Sequence, residues 1–407
     1  MLTLQSWTQA LRALGRRPAY ALTTVLVLAL GVGATATLFS IVDTVLLQPL
    51  PYPHADRLVL VMEANPAKHE NESLVAPARL RDWDRMNQAF VPGLGIVGEY
   101  GENDTDTSGA LPVRLAGLRV SPGFFQVLGM APLLGRTFTP EEEKPVPGPG
   151  PVVISYGLWT RRYARDPGVL GKRLVLAGVA WTIVGVMPRD FTSSALDIWL
   201  PARLLDSVMR QRDARFYTGI GRLRPGVTIA QAQADLARVQ ALLGREYPST
   251  DAGWSASVSG LKEFYVGQTR GTLWAVFGAV LVLLLLAIAN IAGLTLAELQ
   301  SRGRELAIRS AIGASRGQVV ATVMRETVWL AALGAAAGGG LAWIGVRAAA
   351  GLAPGTLPRM AELRFDPRGW AFAVAVSALA SLGFGLGPAL AATRPRLASI
   401  IASLNAV

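Results

Sequence analysis

The sequence predicts an α-helical membrane protein: four transmembrane helices, with a large α+β extracytoplasmic domain inserted between the first and second. Three observations predict it. Of the 407 residues, 51% are hydrophobic and only 16% charged, and mean hydropathy is positive, which is too apolar for an ordinary soluble chain. Four uncharged runs are long enough, at about 1.5 Å per residue, to cross a hydrocarbon core of about 30 Å. Between the first and second runs lie about 220 residues of mixed composition, enough for one large or two small folded units.

Residues 1–17 place Leu4, Trp7, Leu11 and Leu14 on one helical face, which suits a short cytoplasmic helix lying at the interface. Residues 18–46 form the first span, with no charge from Pro18 to Val42. A signal peptide is the competing reading, because Arg16 and Arg17 precede the run and Ala34-Thr-Ala36 resembles a cleavage site. The apolar run continues through Leu38, Phe39, Ile41, Val42 and Val45, longer than a signal sequence requires. Gln48-Pro-Leu-Pro-Tyr-Pro53 then stops the helix, since proline cannot continue it.

Residues 47–270 read as the α+β domain, with a middle subdomain at about 116–200. Leu58–Met62 is a strand. Lys172–Leu176 and Trp181–Met187 flank a glycine turn and predict a hairpin. Capping signals precede Phe124 (Ser121-Pro122), Glu141 (Thr139-Pro140) and Leu158 (Ser155). Glu141–Glu143 read as a solvated helix start, and 145–151 as a Pro/Gly loop. Thr228 and Gln231 form a capping box opening a helix that buries Ile229, Ala232, Leu236, Val239 and Leu243.

The second span is 271–297, with Asn290 its single polar amide, packed in its own bundle or bonded across an interface. Residues 298–325 form a cytoplasmic loop. The third span is 326–347, where Gly334 and Gly338–Gly340 permit close helix approach. A short extracytoplasmic loop (348–368), the fourth span (369–393) and a cytoplasmic tail (394–407) follow.

Within 298–325, Leu306, Ala307, Ile308, Ala311 and Ile312 give a short helix an apolar stripe. Glu305 and Arg309 sit four apart and can pair across a turn. Gly313 suits a left-handed stop, and Ser315 with Gln318 suits the cap of the next helix. A rigid amphipathic helix held between two spans suits docking to a soluble partner.

The net charge of +11 does not indicate nucleic acid, because its excess sits beside the spans. Residues 43–270 hold 25 Lys and Arg against 23 Asp and Glu. Arg12, Arg16, Arg17, Arg302, Arg304, Arg309, Arg316, Arg325, Arg394 and Arg396 flank apolar runs. This is a topology signal that puts both termini in the cytoplasm and the large domain outside. The chain has no cysteine, which excludes disulfides and thiol chemistry. His54 and His69 lack neighbours at zinc-ligand spacing. Gly168-Val-Leu-Gly-Lys172 lacks the spacing and hydroxyl of a phosphate loop, and there is no Gly-x-Ser-x-Gly elbow. No catalytic residue, metal site or cofactor is expected.

Two stretches carry a family resemblance. Leu26 through Pro53 resembles the first span and exit of MacB/FtsX-type ABC transporter permeases. Asn290-Ile-Ala-Gly-Leu, through Arg304-Glu-Leu-Ala-Ile-Arg-Ser-Ala-Ile-Gly-Ala-Ser-Arg-Gly-Gln318, resembles their second-span exit and coupling helix. Between them, Val120-Ser-Pro-Gly-Phe-Phe, Ile183-Val-Gly-Val-Met-Pro188 and Leu223-Arg-Pro-Gly-Val-Thr228 are similar to the MacB-like periplasmic core. The likeness runs nearly the whole chain and is nearest to one half of the acidobacterial-type duplicated permeases. It implies a permease without ATPase activity of its own, in the bacterial inner membrane with its large domain in the periplasm. It also implies a separate cytoplasmic ABC ATPase, contacted by Arg304, Glu305, Ile308, Arg309, Gly313, Ser315 and Arg316. A second permease unit follows as well, either another copy or a paralogous half, with a periplasmic adaptor and membrane lipid among the partners. ATP-driven mechanotransmission for efflux is the implied function; the alternative is an FtsX-like signalling scaffold regulating an extracytoplasmic enzyme such as a cell-wall hydrolase.

Overall fold

A computed structural model describes residues 2–109, 112–144, 150–191, 196–203, 205, 207–303, 308, 315–352 and 359–392. The helices and strands run in the order α1 (Leu2–Gly15), α2 (Pro18–Val42), β1 (Leu58–Asn65), β2 (Glu70–Ser73), α3 (Pro77–Met86), β3 (Phe90–Asp106), β4 (Val113–Val120), α4 (Gly123–Leu128), β5 (Leu134–Gly135), β6 (Pro151–Ile154) and α5 (Tyr156–Tyr163). There follow β7 (Arg173–Leu176), β8 (Val179–Val186), β9 (Ile198–Pro201), β10 (Tyr217–Leu223), α6 (Ile229–Glu246), α7 (Pro248–Asp251), β11 (Ser255–Gly260), α8 (Leu261–Ser301), α9 (Arg316–Leu352) and α10 (Pro367–Ala392). They fall into two units: residues 48–268, and residues 1–47 with 269–407.

Residues 48–268 are built on one eleven-stranded sheet, ordered β11-β1-β10-β3-β4-β9-β6-β8-β5, with β2 on β1 and β7 joining β3 to β8. Most pairs are antiparallel; β4 with β9 and β6 with β8 are parallel. β1 shows why its sequence is a continuous apolar run. Leu58, Leu60 and Met62 enter one core with Phe124, Phe125, Phe191 and Trp199. Val59 and Val61 enter another with Trp83, Leu80 and the α6 residues Ala232, Leu236, Val239 and Leu243. Alternate side chains thus feed opposite faces, and both faces are covered. A third core, with Ile154, Leu158, Trp181 and Ile198, serves the β6–β9 end.

The hairpin forms as β7 and β8, in register Arg173↔Thr182. The Thr228–Gln231 capping box is present, but Ile229 is exposed: as the first helical residue it falls outside the buried stripe of α6. Ser121 does not cap α4; its hydroxyl accepts from the Ile96 N–H at 2.9 Å. Glu142 closes the box with Thr139 around a single 3-10 turn. There the Arg136 hydrogen bond, against a smaller burial penalty, holds the Glu142 carboxyl below its ordinary value.

In the other unit, four helices are long and apolar enough to cross a membrane, by length and composition. α2 ends in a π-helical turn, Asp43–Leu47, just before the proline-rich exit. α8 starts ten residues ahead of the apolar run, at Leu261. Lys262, Glu263 and Arg270 lie on this added stretch, because helix formation needs neither lipid nor an uncharged sequence. Glycines seat α9 against its neighbours: a Cβ on Gly334 would strike Leu28, and one on Gly338 would lie 2.9 Å from Val32. Gly339 is filled in the same way by Trp370, whereas Gly340 faces open space. α1 lays Ala10 and Leu14 inward and leaves Trp7 and Leu11 exposed, so of the stripe residues whose side chains are described only Leu14 is buried. Asn290 does not pack inside the bundle; it is exposed.

Candidate coupling site

The connection between α8 and α9 is framed by charge. Arg302 donates from Nη1 to Glu326 Oε2 at 2.8 Å and from Nη2 to Oε1 at 3.2 Å. Both side chains are nearly buried, 8% and 12% exposed. A two-pronged guanidinium–carboxylate bond fixes orientation as well as distance. Leu299, Val323 and Ala389 form an apolar cluster, the first two one turn from Arg302 and Glu326. Arg17, just ahead of α2, pairs with Glu298 on α8. One turn further in, the Tyr20 hydroxyl lies 3.0 Å from Thr295 Oγ1, and Thr295 also donates to the Ile291 carbonyl at 2.8 Å. Two ion pairs and a hydroxyl bridge therefore tie α8 to α2 and α9 at one end.

On the far side of the connection, the Ser315 N–H donates to Gln318 Oε1 at 2.9 Å, and the Gln318 N–H to Ser315 Oγ at 3.3 Å. This reciprocal cap fixes the first turn of α9. The Trp329 indole donates to the Trp7 carbonyl at 3.2 Å, and the two rings meet edge to face, docking α1 on α9.

Of the residues singled out from sequence, Ser315 sits in this cap and Ile308 is helical and exposed. Arg316 is the first residue of α9. Arg304, Glu305, Arg309 and Gly313 lie outside the described residues, as does the rest of the apolar stripe. Sequence reasoning missed Arg17, Glu298, Arg302 and Glu326 as partners; it counts Arg17 and Arg302 only as topology charges. Glu298 and Arg302, one turn apart at the end of an uncharged run, with Glu326 at the start of the next, were the available signal.

A second charge cluster lies in residues 48–268. Arg79, fully buried, pairs with Glu63 and, at 2.8 Å, with Asp251, and its Nη2 donates to the Arg212 and Thr250 carbonyls. Arg215 bonds Glu63 at 2.8 Å, and Arg212 bonds Asp251 and Asp82. Burial alone would raise the Asp251 carboxyl. Hydrogen bonds from Arg79 and Thr250, with the charges of Arg79 and Arg212, outweigh it and hold the group below its ordinary value. Three cations face three anions, so the cluster is neutral and serves to fasten α3, α7 and β1. Among the described residues, no group of three or more His, Asp or Glu side chains could hold a metal.

Two family models match: the MacB-like periplasmic core domain over residues 21–239, and the FtsX-like permease C-terminal domain over residues 277–403. Among curated proteins, the macrolide export ATP-binding/permease protein MacB of Neisseria gonorrhoeae is 26% identical over 58% of this chain and 37% of its own length. MacB 2 of Aeromonas hydrophila is 23% identical over 80% of this chain and 49% of its own. The chain thus spans less than half the length of either relative. Among solved structures, the periplasmic region of MacB from Actinobacillus actinomycetemcomitans matches 53% of this chain and 94% of its own, at 13% identity and a TM-score of 0.36. With both models matched in order over most of its length, the chain belongs to the family of permeases that join a MacB-like periplasmic core to an FtsX-like permease domain.

Proposed function

We propose that this chain is the permease subunit of an ABC transporter that exports its substrate by mechanical transmission. A separate cytoplasmic ABC ATPase docks on the segment between α8 and α9, through Arg304, Glu305, Ile308, Arg309, Gly313, Ser315 and Arg316. The bidentate Arg302–Glu326 pair carries this reading. With the Ser315 cap, it fixes the helix ends on both sides of the docking segment, so a push there moves α8 and α9 rather than bending a loose loop. The main apolar runs, free of charged residues, support the same view, because a polar ion path through them has no charged residue to line it. The assembly contains two permease units and sits in the inner membrane, with residues 48–268 in the periplasm. A periplasmic adaptor is a further candidate partner.

Docking is tested by two substitutions in the segment. Glu305→Lys removes the pair that the four-residue spacing to Arg309 predicts, worth a few tenths of a kcal/mol. Gly313→Val puts a β-branched residue where the sequence predicts a left-handed stop, at about 1–2 kcal/mol if that stop forms. Both variants are expected to insert and fold but to lose capture of the ABC ATPase encoded nearby; wild-type capture by both sinks the assignment.

Orientation has its own test, since the chain carries no native cysteine. Ser108→Cys and Ser301→Cys are both at exposed positions. An impermeant thiol reagent on cells with a permeabilised outer membrane is expected to label position 108 and spare 301. The reverse pattern inverts the topology.

A further inference from the structure

α1 presents three faces. Ala10 and Leu14 are buried against the bundle. Trp7 and Leu11, one turn apart, are 36% and 46% exposed. Arg12 and Arg16, also one turn apart, are exposed, and neither forms an ion pair among the described residues. At about 100° per residue, the arginines lie about 140° around the helix from the Trp7–Leu11 pair and about 160° from the Ala10–Leu14 pair. No Asp or Glu occurs from Met1 to Val42, so nothing on α1 or α2 neutralises them.

Contacts at the two ends of α1 set its direction. Trp7 meets Trp329 on α9, and Arg17, two residues beyond α1, pairs with Glu298 on α8. Arg302 and Glu326 are bonded to each other and mark one level. Glu298 lies four residues, about 6 Å, to the membrane side of Arg302, and Trp329 three residues, about 4.5 Å, to the membrane side of Glu326. Both anchors of α1 are therefore at nearly one depth. A helix of 14 residues, about 21 Å long, that is held this way lies across the bundle axis, in the plane of the membrane. In that plane hydrocarbon takes the Trp7–Leu11 flank, and the arginine face meets the headgroup layer.

We propose that α1 binds anionic phospholipid headgroups, with the Arg12 and Arg16 guanidiniums on lipid phosphates and Trp7 and Leu11 entering the acyl layer. Charge complementarity names the occupant: two unneutralised cations one turn apart, at headgroup depth, face a layer of phosphates that a guanidinium binds with two parallel hydrogen bonds. Because Trp7 is also docked on Trp329, lipid that holds α1 steadies α9 just above its ion pair with α8. The inference goes beyond the export reading and rests only on the four spans.

A reporter at Gly15→Cys tests it in the otherwise cysteine-free chain. A Cβ there meets nothing within 4 Å, and the position lies between the apolar flank and the arginine face. The full chain, labelled with an environment-sensitive fluorophore, is placed in phosphatidylcholine nanodiscs with an increasing fraction of phosphatidylglycerol. The wild-type emission is expected to shift to the blue as that fraction rises, and high salt is expected to weaken the response. Arg12→Gln or Arg16→Gln should raise the half-maximal fraction about 5-fold. The double Gln variant should not respond, whereas Arg12→Lys with Arg16→Lys should keep most of the response. Both arginines are exposed, so all variants should melt as the wild type does. A wild-type response in the double Gln variant would leave the arginines as topology signals and overturn the proposal. So would a wild-type response indifferent to salt, which needs no variant to fold. An equal shift from inorganic phosphate added to pure phosphatidylcholine discs would assign the face to a free anion. A shift from the ATPase encoded nearby, with none from phosphatidylglycerol, would assign it to a protein. Either result rejects the lipid.

Discussion

Arg79→Met is expected to destabilise residues 48–268 by about 3–5 kcal/mol, the cost of stripping one partner from a buried ion pair. Glu63 and Asp251, like Arg79, have fully buried side chains. Each carboxylate keeps one other cation, Arg215 or Arg212, but the cluster loses its neutrality. Thermal melts of the detergent-solubilised chain, read by proteolysis within 48–268, should fall by about 6–20 °C. Arg136→Met breaks an exposed pair, with Arg136 half exposed against Glu142, and should cost about 1 kcal/mol or less. The pH dependence follows from Asp251, whose carboxyl is held below its ordinary value. A depressed native pKa means its contribution is present above the unfolded value of about 3.9 and lost as pH falls toward the native one. Acidification below about pH 4 should therefore weaken the wild type and narrow its lead over Arg79→Met. Equal melting of Arg79→Met and wild type at pH 7 would refute the account.

Why this cluster was illegible in the sequence is a matter of distance along the chain. Arg79 and Asp251 are 172 positions apart, and no local spacing rule reaches that far. The spans were legible because lipid imposes a local requirement, an uncharged run of fixed length, and α2, α8, α9 and α10 meet it. The start of α8 was not, because Leu261–Arg270 obeys helix rules without being apolar. β3 was hidden as well: its seventeen residues contain Pro92 and four glycines, residues that local propensity reads as breaks. Gly95 is tolerated there because α4 lies so close that a Cβ would meet the Phe124 backbone at 2.8 Å. In the candidate site, the Ser315–Gln318 cap was readable from a three-residue spacing. The Arg302–Glu326 pair, 24 positions apart, became visible only when α8 and α9 came together.

Breaking that pair should have the second large effect. Glu326→Ala leaves the Arg302 guanidinium nearly buried without its carboxylate, and Arg302→Ala leaves Glu326 without its cation; each should cost about 3–5 kcal/mol. The double replacement Arg302→Glu with Glu326→Arg restores opposite charges in the same place. Its recovery should be incomplete, because an acidic residue then follows the C-terminal end of α8, where the helix dipole disfavours it by about 0.3–1 kcal/mol. Two readouts separate a clamp that transmits motion from a pair that merely holds helices together. Thermal stability should fall in both single variants and largely return in the swap. ATPase capture and ATP-driven transport should track the same order if the clamp sets the docking segment, since the segment's ends move with α8 and α9. A pair with only a packing role would lower the melting temperature while leaving capture, per folded molecule, at the wild-type level. Wild-type melting together with wild-type capture in Glu326→Ala would remove the clamp from the mechanism altogether.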